Sequence, residues 1–286
     1  MTDVAGKKTS FARRAASNFH EWLPGYLFVL PATIFLFALT VYPSLHLMGL
    51  SLTDWKLTNV PNFVGIDNFT SFVKQPSSGR ILYVTVLFLV LDLAVVLAIG
   101  LPVALALNGK LRFRSFIRAV ALVPWAISAV VAGVVWRWML MPETGVITYL
   151  LGQVGIVAEF LLHPVLALVS IVMVDAWRQV GYAAIFLLAG LQSIDPSLYE
   201  AASVDGANRW TVFRRITLPL LAPSLLVLLI LLTIHALNTV DVILVVTGGG
   251  PVRLTETLAF HMYKEALYYF NIGYGSAVAV ILLVIN

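Results

Sequence analysis

Six long apolar runs, separated by short polar segments, set the pattern of the chain. They cover about Leu23–Leu50, Ile81–Leu107, Phe116–Leu140, Pro164–Leu191, Leu218–Val246 and a last run from Gly273 to Asn286. A helix needs about 20 mostly apolar residues to cross a hydrocarbon core of about 30 Å. Five runs meet that length. The sixth holds roughly 14 residues, which rise only about 21 Å as a helix, so the natural chain is expected to continue past Asn286. The runs are continuously apolar rather than alternating, which excludes a β-barrel. The pattern predicts an all-α, polytopic membrane protein with six transmembrane helices. Residues 1–22 form a polar N-terminal segment, and residues 23–286 form one membrane domain. Within it, residues 193–217 are a polar loop between the fourth and fifth spans. The first run is longer than the roughly 7–15 residues of a signal-peptide core and has no small-residue cleavage site, so it reads as an uncleaved span. Thr53–Arg80 contains Pro61, Gly65, Asp67 and Pro76 and reads as a surface loop of turns. No internal repeat and no segment long enough for a separate soluble domain is present.

Composition agrees with this reading. The chain is 60% hydrophobic and 11% charged, against about 25% charged in soluble domains. It has no cysteine, which removes disulfides, Cys-based metal sites and a thiol nucleophile. The net charge is +4, and its distribution fixes a topology. The N-terminal segment, the Asn108–Arg118 loop and the Gln192–Thr217 loop carry eleven of the 18 Lys and Arg; the alternate loops carry six, and Arg178 lies within a span. Basic residues gather on the cytoplasmic side. The N-terminus and residues 193–217 are therefore expected on the cytoplasmic side. Topology accounts for the basic residues, so nucleic acid is not expected as a partner.

The polar interruption Glu200–Trp210 reads EAASVDGANRW. Just before it, Asp195-Pro196 suits a helix start, since Asp accepts from free backbone donors and Pro tolerates the first helical position. The helix is expected to run through Val204 and stop at Asp205-Gly206, where Gly can take the left-handed conformation. A second short helix should carry Trp210, Phe213 and Ile216 on one face, with Arg209, Arg214 and Arg215 on others. Pro219 and Pro223 lead into the fifth span. Ala201, Ala202 and Ala207 leave little side-chain bulk, so another protein can approach closely. An interfacial amphipathic connector would explain the aromatic face but not the Glu-Ala-Ala cluster.

Glu200-Ala201-Ala202, Asp205-Gly206-Ala207, Trp210, Phe213, Ile216 and Leu218-Pro219 resemble the EAA loop of ABC importer permeases. The resemblance extends through Trp177-Arg178, Leu188–Gln192, Asp241, Thr247–Pro251, Thr255, Tyr263 and Gly273–Ala277, roughly the C-terminal 40% of the chain. It is similar to the binding-protein-dependent, maltose-permease-like sugar branch with the MetI-like fold, in a compact version without that permease's large outer insertion. The resemblance implies that the loop is a coupling helix docking on a cytoplasmic ATPase, with Glu200, Ala201, Ala202, Asp205, Gly206, Ala207 and Arg209 as coupling residues. It also implies a second related permease subunit, two cytoplasmic ATPase subunits and an extracytoplasmic substrate-binding protein as partners, besides membrane lipid.

The chain itself has no nucleotide site. A P-loop needs G-x-x-x-x-G-K-[ST], whose backbone amides hold phosphate. Gly109-Lys110 is followed by Leu111 and has Ala104 in place of the first Gly. Gly248-Gly249-Gly250-Pro251 lacks the Lys and reads as a tight turn. No cofactor is expected in this chain, ATP and Mg being bound by the partner ATPase, and no metal site is expected. Neither H-E-x-x-H nor G-x-S-x-G occurs, so the chain reads as a non-catalytic transport subunit. His20, His46, His163 and His261 lie near span ends or in loops and read as incidental.

Polar residues inside the spans are costly, so they face the interior or a cavity. Asp92 stands alone in the second span. Asp175, Arg178, Gln179 and Tyr182 follow i, i+3, i+4, i+7 in the fourth, which puts them on one face. His235, Asn238 and Thr239 share a face of the fifth, with Asp241 displaced. Either the two faces enclose a hydrophilic cavity, or they form an internal ion pair, Asp175–Arg178, within a hydrogen-bond network. The family resemblance implies substrate contacts from these two spans, which makes all eight residues candidates. The expected solute is a sugar or sugar-like molecule, with hydroxyls bound by polar side chains and a ring stacked on Tyr182 or Trp177. An anionic solute of the glycerol-phosphate type is the alternative that Arg178 would serve. An ion-coupled carrier using Asp92, Asp175 or Asp241 as proton sites would predict inverted repeats, which the sequence lacks.

Overall fold

The computed structural model describes residues 24–109 and 112–286. The N-terminal segment 1–22 and Lys110, both expected on the cytoplasmic side, lie outside the described residues. Among the described residues the only β pairing is one isolated bridge, Thr53 to Phe63. The helices in chain order are α1 (Pro24–Leu50), α2 (Asp67–Lys74), α3 (Ser78–Asn108), α4 (Arg114–Ala126), α5 (Ala129–Met139), α6 (Val146–Gln153), α7 (Pro164–Gln192), α8 (Pro196–Val204), α9 (Arg209–Asn238), α10 (Asp241–Val246), α11 (Leu258–Tyr263) and α12 (Ile272–Ile285).

Among the described residues, four helices are long and apolar enough to cross a membrane singly: α1, α3, α7 and α9. The third apolar run is not one straight helix. It is the pair α4 and α5, bent by 89°. Pro124 lies in the last turn of α4 and has no N–H to continue the ladder. Ile127 and Ser128 are then extended, each with ψ 135°. The fifth run also differs from expectation. It starts earlier, at Arg209, breaks at Thr239–Val240 and resumes as α10. The second short helix expected after Gly206 is the beginning of α9. A π-turn over Phe213–Thr217 keeps it continuous, with the Leu218 N–H reaching the Phe213 carbonyl. Pro219, next in line, has no N–H to return to Arg215. The Thr53–Arg80 segment is more than turns. It contains α2, whose Asp67 in the first turn and Lys74 in the last complement the helix dipole while Phe72 is buried.

The central helix is α7, against which α3, α4, α9 and α10 pack. Glycines set the closest approaches. A Cβ at Gly181 would overlap the Ala121 carbonyl oxygen of α4, and one at Gly100 of α3 would meet the Ala183 Cβ at 3.2 Å. In contrast, no residue of α1 is buried. It is held near its C-terminal end, where it packs on α12. Large apolar side chains cover the outside, including Phe28, Phe35, Val86, Leu226 and Ile230. Hydrocarbon tolerates such an exterior as long as the backbone groups are satisfied within helices.

Candidate functional site

Two features bear on function: a polar cavity beside the centre of α7, and the exposed hairpin that joins α7 to α9. The cavity has a volume of about 460 Å³. Asp175 and Arg178 line it from α7, His235, Asn238 and Thr239 from the end of α9, and Asp241 from the start of α10. Ala129, the first residue of α5, also lines it. Both backbone breaks therefore abut the same space, in keeping with irregular backbone at membrane depth being confined to cavity walls.

The geometry of the wall is specific. Asp175 is fully buried, and the His235 Nε2 lies 3.2 and 3.3 Å from its two carboxylate oxygens. One arm of Arg178 is 3.7 Å from Asp175. The other arm donates to the Ile127 carbonyl at 3.3 Å, which satisfies a group freed by the bend. The Thr239 hydroxyl donates to the His235 carbonyl at 3.0 Å, and the Asn238 amide donates to the Ile234 carbonyl at 2.7 Å and to Asn286 at 3.2 Å. The ion pair and the cavity, alternative readings of the sequence, are both present.

Six of the eight sequence-predicted residues thus meet around one space. Gln179 and Tyr182 do not line it. Steps of three and four residues place Arg178 and Gln179 about 100° apart around the helix, on opposite flanks of Asp175. Gln179 is buried, and its carbonyl oxygen has no partner among the described residues. Tyr182 lies about 10 Å further along the axis, where α4 has closed in. Its ring stacks on Trp125 at 5.4 Å. Trp177 meets Trp136 edge-on at 5.6 Å. Asp92 of α3 is fully buried, and both its carboxylate oxygens lack a partner among the described residues. The residues that sequence reasoning missed are Ile127 and Ala129 at the bend. The available signal was the pair Pro124 and Ser128 inside an otherwise apolar run.

The hairpin begins as expected. Asp195 caps α8 by accepting from the Ser197 N–H at 2.9 Å, and that hydrogen bond holds its carboxyl below the ordinary range. The helix ends at Gly206, φ 72°, with the Gly206 N–H donating to the Ser203 carbonyl and the Ala207 N–H to the Ala202 carbonyl at 2.9 Å. These are the paired bonds of a Schellman stop. Asn208 then caps α9, accepting from the Thr211 N–H at 2.8 Å. Glu200, Ala201, Asp205, Gly206 and Arg209 are exposed, Ala207 is half-buried, and Ala202 is turned into the chain. Trp210 and Phe213 stack at 5.6 Å. They share with Tyr199 and Ser203 an open groove of about 640 Å³.

A third polar cluster lies at the end of the molecule opposite α8. Glu256 is 1% exposed and is reached by His261 at 2.8 Å, Lys264 at 3.4 Å and Arg253 at 3.5 Å. The other nitrogen of His261 lies 3.4 Å from the Tyr274 hydroxyl, which donates to Gln75 at 2.6 Å. His261, read from sequence as incidental, is buried at the centre of this network. Burial works to raise the Glu256 pKa, but the His261 hydrogen bond and the charges of Lys264 and Arg253 outweigh it. The carboxyl is held below its ordinary value.

Comparison with known proteins identifies the family. Residues 96–286 match the family described as binding-protein-dependent transport system inner membrane component. The chain is 40% identical to the sn-glycerol-3-phosphate transport system permease protein UgpA of Agrobacterium fabrum, over 78% of this chain and 77% of that protein. It is 36% identical to the trehalose/maltose transport system permease protein MalF of Thermococcus litoralis, over 94% and 91%. Its fold superposes on a chain of a bacterial alginate ABC transporter solved with an alginate-pentasaccharide-bound periplasmic protein, with a TM-score of 0.79 and 24% identity over 94% of this chain and 92% of that one. The chain belongs to the binding-protein-dependent transport system inner membrane component family and is a non-catalytic permease subunit of an ABC importer.

Proposed function

We propose that the chain forms half of the translocation pathway for a neutral sugar or sugar-like solute. The polar cavity is the solute site, with Asp175, Arg178, His235, Asn238, Thr239 and Asp241 in contact, Gln179 buried on the other flank of Asp175 and Tyr182 further along α7. A second related permease supplies the other half, and an extracytoplasmic binding protein delivers the solute. Two cytoplasmic ATPases hold ATP and Mg and drive the cycle through α8, with Glu200, Ala201, Ala202, Asp205, Gly206, Ala207 and Arg209 at the contact. The N-terminus lies on the same, cytoplasmic side. The observation that carries this reading is one of connectivity: α7 and α9, which build the cavity, are the two helices joined by the exposed hairpin. A push on α8 acts directly on both walls. Neutral solutes are favoured because Arg178 is already engaged by the buried Asp175. The trehalose/maltose relative agrees with this class, whereas the sn-glycerol-3-phosphate relative keeps an anionic solute as the second reading.

The test is Glu200→Lys in the reconstituted importer, assayed with maltose, trehalose and sn-glycerol 3-phosphate. Membrane insertion should be unchanged and ATP-driven uptake should fall at least tenfold. Uptake at the unaltered rate would remove α8 from the coupling role, and uptake of sn-glycerol 3-phosphate alone would replace the neutral-solute reading by the anionic one.

A further inference from the structure

Asp92 of α3 lines neither the polar cavity nor the hairpin groove. It is fully buried, and neither carboxylate oxygen has a partner among the described residues. A charge left that way at membrane depth is costly. Its surroundings follow from the register of α3 on α7. Val84 and Phe88 share a buried cluster with Ile171 and Val172, and Ala104 and Leu107 share the next with Leu187 and Leu191. The two helices therefore run in the same direction. A Cβ on Gly100 would meet the Ala183 Cβ at 3.2 Å. Eight residues earlier on each helix, about 12 Å along the axis, Asp92 stands level with Asp175.

Gln179 is turned to the same seam. It lies on one helical face with Ala176 and Ala183, at i, i+3 and i+7, and both alanines share a buried cluster with Val96 and Ala104 of α3. Gln179 is 5% exposed, and its carbonyl oxygen also lacks a donor among the described residues. The seam thus holds unmatched acceptors on both helices. The charged groups at this level are turned elsewhere. Arg178 reaches Asp175 and the Ile127 carbonyl, and His235 reaches Asp175. The Arg178 Nε is buried without a partner, but it belongs to the flank of Asp175 opposite Gln179. Other elements meet α3 at different levels: α4 where Arg118 donates to the Leu107 carbonyl, α11, with His261 and Tyr263, where the Leu258 N–H donates to Thr85, and α2, with Asp67 and Lys74, at Ile81.

We propose that Asp92 is a proton-binding site, a neutral acid whose O–H donates to the Gln179 carbonyl oxygen. A protonated carboxyl supplies one donor and keeps an acceptor. One proton taken from water removes the uncompensated charge and gives Gln179 its donor. Asp175 and Arg178, the ion pair at this level, then balance each other. Loss of the proton sets a second carboxylate level with Asp175. Both then compete for Arg178 and draw it from the Ile127 carbonyl that it satisfies at the bend. The site thereby ties the bend beside the polar cavity to proton concentration. Its effect on uptake rests on the reading of that cavity as the solute site; the proton itself does not.

The test is infrared absorption of the complete importer, carrying isotope-labelled aspartate, in an ester-free detergent near neutral pH. The carbonyl band of a protonated aspartic acid should be present and should disappear in Asp92→Asn. In Gln179→Leu the acid loses its acceptor, so the band should persist and move to higher frequency. Asp92→Asn keeps a neutral hydrogen-bonding group and should take up solute within about twofold of the unaltered rate near neutral pH. In alkaline buffer, uptake by the unaltered importer should fall about fivefold relative to Asp92→Asn. Absence of the band in the unaltered protein, or its persistence in Asp92→Asn, overturns the proton assignment. An equal alkaline fall in both importers overturns the link to the bend. Sodium-dependent uptake that Asp92→Asn abolishes overturns the assignment in favour of an alkali-cation site. If the band behaves as expected while neither maltose, trehalose nor sn-glycerol 3-phosphate is taken up, the proton site stands and the solute reading fails.

Discussion

Glu256 gathers an arginine, a lysine and a histidine side chain while remaining almost wholly buried. Removing its charge would leave the largely buried Lys264 ammonium facing a neutral partner, and breaking such a pair costs on the order of 3 kcal/mol. The pH dependence follows from the direction of the shift. The ordinary value is 4.5, and the folded value is lower. The stabilisation is therefore complete above the ordinary value and is lost as pH falls through the folded one. Glu256→Gln should lower the thermal midpoint in detergent near neutral pH and flatten its further decline in acid; two parallel acid limbs would contradict the assignment. The sequence held little sign of this network. Glu256 precedes α11 and lies five and eight residues before His261 and Lys264, which fits no helical face, and only the folded chain brings Gln75 and Tyr274 to them.

At the scale of elements, the apolar runs located the helices well, because length and hydropathy are local properties. The breaks inside the third and fifth runs were harder to read. A break of two residues scarcely changes an apolar pattern, and what stabilises it comes from another helix. Arg178 satisfies the Ile127 carbonyl from α7, 51 residues away. The candidate site was legible to the same degree. Helical spacing found the face containing Asp175 and Arg178, but not that Tyr182 would be covered by Trp125. If Arg178 supports the bend, Arg178→Leu should destabilise the detergent-solubilised protein by about 3 kcal/mol, since Asp175 loses its paired charge and the Ile127 carbonyl its donor. Arg178→Lys keeps the charge but cannot present two separate arms, so it should recover only part of that loss. Equal stability of the leucine variant and the native chain, measured by denaturant titration in micelles, would show that the bend stands without it.

Across the whole molecule, coupling requires that motion of the hairpin reach the cavity rather than dissipate between the helices. Near the hairpin, α7 and α9 meet without intervening bulk at Gly190. A Cβ there would lie 2.6 Å from the Ser224 hydroxyl oxygen and 2.9 Å from a Leu221 methyl. Leu221 is itself fully buried in the cluster that also holds Leu187, Leu191 and Leu228. This seam clamps the two helices between α8 and the polar cavity. A larger side chain should wedge the seam open at about 1–3 kcal/mol, the usual cost of overpacking. The functional consequence differs from that of Glu200→Lys. The proposed ATPase contact on α8 is left intact, so Gly190→Val should retain stimulated ATP hydrolysis while moving fewer solute molecules for each ATP consumed. The measurement is the ratio of solute uptake to phosphate release in the same proteoliposomes. A threefold or greater fall in that ratio places the clamp in the coupling path. If uptake and hydrolysis decline in proportion, the seam contributes only to folding.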